Sequence, residues 1–168
     1  MRFYFYEPLP LKNDKNILDT ILKFLHSIEI PVKETALTEA TFLPGLQIKG
    51  TTIMLDREKL KYPGDLLHEA GHIAVSDREV RPQIGSTEMA KDWPSNGEEI
   101  AAILWSYAAS NHLGLDLNIV FHPNGYKNES AWLMEQFTNQ NYLGLPLLEW
   151  MSLCKKEEFP IMRKWVRD

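Results

Sequence analysis

The sequence predicts an α+β fold: a small antiparallel or mixed sheet packed on a helix carrying His68-Glu69-Ala70-Gly71-His72, with a second helix buried behind it. Three observations predict it. Leu46 to Leu55 alternates apolar and polar residues on either side of Lys49-Gly50, as a tight hairpin does. Leu66 to Val75 is apolar apart from the two histidines and the glutamate. Glu98 to Leu113 is rich in Ala, Ile, Leu and aromatics and has hardly a polar residue, as in a helix buried on most sides. With 168 residues, 44% of them hydrophobic, the chain can close one core without disulfide help, so a single domain over residues 1–168 is expected.

Along the chain, Arg2 to Tyr6 is short and aromatic, and Pro8 and Pro10 bar it from continuing, so a first strand is expected there. Asn16 to Ile28 places Ile17, Leu18, Ile21, Leu22, Leu25 and Ile28 at helical spacing behind a polar lead-in, which predicts an amphipathic helix. After the hairpin, Tyr62-Pro63-Gly64 breaks the chain and Asp65 is read as the N-cap of a helix from about Leu66 to Val75. Ser76 to Gly97, with Pro82, Gly85, Pro94 and Gly97, lacks a sustained period and reads as a long loop. The buried helix from Glu98 should stop at Gly114. Leu115 to Val120, a His122-Pro123-Asn124-Gly125 turn, a helix from about Glu129 to Asn139 and a last helix from about Pro146 to Cys154 complete the chain.

The charge balance excludes some classes of function. A net charge of -5, with a pI near 5.6, leaves no basic excess, and the five tryptophans have no basic stripe beside them, so no nucleic-acid partner is indicated. No stretch approaches the roughly 18 to 20 apolar residues of a membrane helix, and Met1 to Pro10 has no signal-peptide core. The single cysteine, Cys154, precludes an internal disulfide and suits a reducing compartment. The expectation is a cytoplasmic protein without a membrane partner, in which any zinc is held by nitrogen and oxygen.

HEAGH is an HExxH motif, and on a helix the four-residue offset puts both imidazoles on one face, one turn apart. Two neutral imidazoles can hold Zn2+, which in catalytic sites keeps a position open for water. Glu69 lies about 100° further round the helix, where it can serve as a catalytic general base without becoming a ligand. The rival reading is an accidental match, but burying two His and a Glu together is unfavourable unless something pairs them. Gly97-Glu98-Glu99 opens the second helix 26 or 27 residues after His72. Carboxylates favour a helix N-terminal turn in any case, yet an inward carboxylate on so apolar a helix wants a cation. Glu99 is the favoured third metal ligand beside His68 and His72, with Glu98 the alternative.

Other residues have possible supporting roles. His122 and Tyr126, around the turn, could hydrogen-bond an oxyanion, the alternative being that they solvate the turn. Asp77, Glu79 or Glu88 could orient a ligand histidine through its second nitrogen, or lie in a solvated loop. His112 reads as a cation at a helix C-terminus, His26 as surface or core, Trp105 and Trp132 as core, and Trp93 as a side chain that could line a cleft.

HEAGH, a loop, then Glu-Glu-Ile-Ala-Ala at the head of a hydrophobic helix resembles the ImmA/IrrE group of small gluzincin-type metallopeptidases, over about Ile53 to Ser110. The resemblance implies a minimal zincin-like fold and zinc bound by two His and a Glu, carried here by His68, His72 and, by spacing, Glu99, with Glu69 as base. It also implies a strand beside the motif helix as a substrate-docking edge. Peptide deformylases share HExxH but need a Cys upstream of it, and Cys154 lies far downstream. The expected function is therefore zinc-dependent hydrolysis of a peptide or protein amide; the alternative is a non-catalytic zinc-binding interaction or sensor module.

Overall fold

The computed structural model describes residues 14–168 and is a mixed α+β structure with a small sheet. The strand expected at Arg2 to Tyr6 lies outside the described residues. Helix α1 (Asp14–Ser27) buries Ile17, Leu18, Ile21 and Leu25 of the expected stripe together with Phe24, which was not in it, while Leu22 is half-buried and Ile28, also half-buried, lies past the helix end. Strands β1 (Val32–Glu34), β2 (Leu46–Lys49) and β3 (Thr52–Leu55) form one sheet in the order β1-β3-β2. The expected hairpin is β2–β3, antiparallel, with Leu46 opposite Leu55 and Ile48 opposite Ile53; β1 adds in parallel on the other side. Those four residues face the core, and the alternation along each strand leaves Gln47, Lys49, Thr52 and Met54 more exposed.

The outer edge of β2 is partly taken. Leu46 N–H donates to the Leu43 carbonyl and Gly50 N–H donates to the Ile84 carbonyl. The expected docking edge is therefore occupied at both ends by the chain itself.

Helix α2 (Asp65–Val75) carries HEAGH, and α3 (Asn96–Leu113) is the buried helix. They are the most extensively packed pair of elements, with Leu66, Leu67, Ala70, Ala101, Ala102, Leu104 and Trp105 fully buried around them. Gly71 makes this closeness possible: a Cβ there would stand 2.8 Å from the Ala102 carbonyl oxygen and 3.3 Å from the Trp105 ring. The Trp105 indole N–H donates to the Trp165 carbonyl, so the C-terminal segment ties onto the back of α3. Gly114, at φ 63°, ends α3 as predicted.

Several boundaries and burials differ from expectation. Asp65 does not cap α2; it is the first helical residue, after Gly64, and its carboxylate is buried against His122. Helix α3 begins two residues before Glu98 because Ser95 caps it. The loop after α2 contains a short 3₁₀ turn at Arg81–Gln83. A short α4 (Leu117–Val120) precedes the His122 turn, α5 spans Ser130–Thr138, and α6 spans Leu145–Trp150, ending before Cys154. Trp132, expected in the core, is 46% exposed, because α5 turns Ser130, Leu133 and Phe137 inward, a face that leaves Trp132 outside it. No helix among the described residues is long and apolar enough to cross a membrane.

Candidate metal centre

Helix geometry sets His68 and His72 side by side, one turn apart on α2. Their Nε2 atoms are 3.0 Å apart and their rings nearly perpendicular, at 82°. Helix α3 delivers the third group: Glu99 Oε1 lies 3.4 Å from His68 Nε2, and its Oε2 lies 3.2 Å from His72 Nε2. His68, His72 and Glu99 form a group of ligand atoms able to hold one metal ion.

The capping of α3 separates the two glutamates. Ser95 Oγ accepts from Glu98 N–H at 3.3 Å, and the Glu98 carboxylate accepts from Ser95 N–H at 2.8 Å, a reciprocal capping box. Glu98 is thereby held at the helix entry, and Glu99, one residue on, faces α2. Ser-x-x-Glu was legible in Ser95-Asn96-Gly97-Glu98 and marks Glu98 as the capping carboxylate.

One ligand atom from each of the three residues lies within 4.8 Å of the others; the two Nε2 atoms are 3.0 Å apart, and the carboxylate turns a different oxygen to each histidine, at 3.4 and 3.2 Å. Burial pushes the His68 imidazole down to about 3, with neighbouring His72 reinforcing the shift, and pushes His72 down to about 4. Both rings are neutral near pH 7 and have a lone pair to offer a cation. Without a cation the same geometry is a His–His hydrogen bond beside a carboxylate, which satisfies only one of the two ring nitrogens as acceptor.

Glu69 follows His68 on α2 and is half-buried. Burial, reinforced by the charges of Asp65 and Glu99, raises its carboxyl to about 7. Burial also raises Glu99, with Lys127 pulling the other way.

The remaining sequence candidates fall in different places. Tyr126 Oη lies 3.4 Å from His68 Nδ1, on the side of the ring away from Glu99, and the two rings meet edge to face at 5.3 Å. Tyr126 thus stands where a partner to a candidate ligand histidine was sought among Asp77, Glu79 and Glu88. None of those three bonds to His68 or His72; Glu79 and Glu88 are exposed, and Asp77 pairs with Arg167 at 3.6 Å. Tyr126, Lys127 and Asn128 hold φ of 53°, 51° and 67°, three consecutive non-glycine residues in the left-handed region, so Tyr126 is presented by a strained turn.

His122 is buried, with Nε2 2.7 Å from Asp65 Oδ1 and its ring stacked on Tyr62 at 3.8 Å. Gly64 permits this arrangement, since a Cβ there would overlap the Ile119 carbonyl and push the α4 segment off the head of α2. Sequence reasoning missed Asp65, whose pairing with His122 spans 57 residues and has no local signal. Trp93 lies beside His72, its ring centroid 5.6 Å away; His72 Nδ1 and the Trp93 indole N–H are buried without a protein partner. His112 packs against Phe24 and Trp165, and His26 is exposed.

No family model matches this chain, and neither a curated protein nor a solved structure matches it.

Proposed function

We propose that the chain is a zinc-dependent metallohydrolase acting on a peptide or protein amide, with His68, His72 and Glu99 as ligands and Glu69 as general base. The observation that carries this reading is the convergence of His68, His72 and Glu99 from two helices, with one ligand atom from each within 4.8 Å of the others, and Glu69 next to His68 on the same helix. The resemblance of HEAGH and Glu-Glu-Ile-Ala-Ala to the ImmA/IrrE metallopeptidases, and with it the minimal zincin-like arrangement, points the same way.

Zinc at such a site supplies a Lewis acid that polarises a carbonyl and lowers the pKa of a coordinated water towards about 7. The chain's own residues do the rest. Glu69 accepts a proton from the attacking water and can return it to the leaving amine. Tyr126 buttresses His68 through Nδ1, which holds the ring with Nε2 towards Glu99. Asp65 and His122 brace the first turn of α2, one turn before the histidines. The capping box keeps Glu98 out of the ligand set.

Elemental analysis of tag-free protein tests the ligands. About one zinc per chain is expected for wild type, with loss in His72→Ala and in Glu99→Ala. Glu69→Gln should retain zinc and lose peptide hydrolysis. Zinc retained in Glu99→Ala would overturn the ligand set, and full hydrolysis by Glu69→Gln would overturn the base. A wild type that binds zinc and hydrolyses no peptide would be a zinc-binding module instead.

A further inference from the structure

Beside the three ligand atoms opens a cleft of about 490 Å³, between the head of α3, the strained Tyr126 turn, α5 and the loop entering α6. Its floor is Leu133 and Phe137, 7% and 1% exposed, and its rim is Ile100, Trp132 and Leu143, which are 39%, 46% and 48% exposed. Only six large hydrophobic side chains are so exposed among the described residues, and three of them surround this one opening. Apolar surface gathered at a concave site, rather than scattered singly, marks a place where an apolar group is received.

The cleft is a built feature. Gly144, at φ 90°, lets the α6 loop close on α3, since a Cβ there would stand 2.6 Å from Ile100 Cγ2. Leu143, the residue before Gly144, lines the cleft together with Trp132. Glu99 also lines the cleft, so the opening is continuous with the ligand cluster, and Tyr126 borders both.

We infer that this cleft is the specificity pocket for one large apolar side chain, of leucine, methionine or phenylalanine size, on the residue adjoining the bond presented to His68, His72 and Glu99. The volume sits in the lower part of the roughly 300 to 1,000 Å³ typical of small-ligand sites, room for one large side chain and its flanking backbone. The assignment rests on the metallopeptidase reading for the identity of the molecule that bears the side chain. The chemistry of the pocket itself stands on the rim and floor.

The test is an NMR titration of the full chain with N-acetyl-phenylalaninamide and, separately, N-acetylglycinamide. Phenylalaninamide should shift the Trp132 indole N–H and the Ile100 and Leu143 amides, and glycinamide should leave them in place. Leu143→Glu and Trp132→Ala, both at exposed positions, should keep the rest of the spectrum and weaken phenylalaninamide binding by about tenfold or more, the scale on which apolar pockets discriminate. Equal shifts with the two amides, or binding unchanged in both variants, would overturn the assignment. Peptide hydrolysis by the zinc-loaded protein separates the two ideas. Shifts without hydrolysis would sink the peptidase reading and keep the pocket; hydrolysis indifferent to Phe against Gly beside the cleaved bond would do the reverse.

Discussion

Gly71 lies against Ala102 with no space for a side chain: a Cβ would stand 2.8 Å from the Ala102 carbonyl oxygen. Within HEAGH, this is the position that lets α3 approach closely enough for Glu99 to reach both histidines. Gly71→Ala should destabilise the fold by about 1 to 3 kcal/mol through overpacking, despite a helix-propensity gain of roughly 1 kcal/mol. It should also weaken zinc binding, because α3 must shift. Denaturant midpoints and a zinc titration check both, and a more stable variant with unaltered zinc affinity would refute the proposed role of the close approach.

Asp65 and His122 form a buried pair at 2.7 Å, with side-chain exposures of 6% and 7%. Removing either partner strands the other, so Asp65→Ala and His122→Ala should each destabilise by about 3 kcal/mol. The double variant should lose much less than the two single losses together. A double-mutant cycle measures this directly, and additive losses would show that the pair is not coupled.

Ser95 and Glu98 cap α3 reciprocally. Ser95→Ala should destabilise by about 1 kcal/mol, and Glu98→Ala should leave zinc stoichiometry at the wild-type value. Loss of zinc in Glu98→Ala would move the ligand assignment from Glu99 to Glu98.

Asp56 supplies a pH dependence away from the site. Its carboxylate accepts from Leu37 N–H at 2.9 Å and Glu58 N–H at 3.1 Å, and the Leu37 bond leads in lowering its pKa below 3.8. Because the folded value is depressed, the stabilisation is fully present above the unfolded value and is lost as pH falls through the folded one. Asp56→Ala should therefore lower the thermal midpoint at pH 7 by more than it does at pH 2 to 3. A gap that does not narrow on acidification would rule this linkage out.

Lys127 sits at φ 51° in the turn that presents Tyr126. Lys127→Gly should raise stability by up to about 1 kcal/mol by relieving left-handed strain. Thermal unfolding reads the change, and a clear loss would show that the lysine side chain contributes more than its backbone strain removes.

Much of the architecture was legible locally. The α1 stripe, the β2–β3 hairpin, the helical HEAGH segment and the Gly114 stop follow from short-range periodicity and turn chemistry, and each lies within two residues of its expected place. Trp132 was misassigned for a related reason: a tryptophan within an apolar helix reads as core, and only the packing of α5 shows that its face opens on a cleft.

For this protein, then, the sequence by itself determined which residues share a helix face: His68 with His72 one turn apart, Glu69 displaced round the helix, and a carboxylate pair at the head of a second apolar helix. Only the tertiary structure decided which carboxylate meets the histidines, that Asp65 turns inward to His122, that Tyr126 stands behind His68, and that Ile100, Trp132 and Leu143 ring one cleft. The physical reason is range. Helix periodicity and capping act over three or four residues, whereas those contacts depend on how closely α2, α3 and the later segments pack, set by positions such as Gly64, Gly71 and Gly144 where a single Cβ would hold the elements apart.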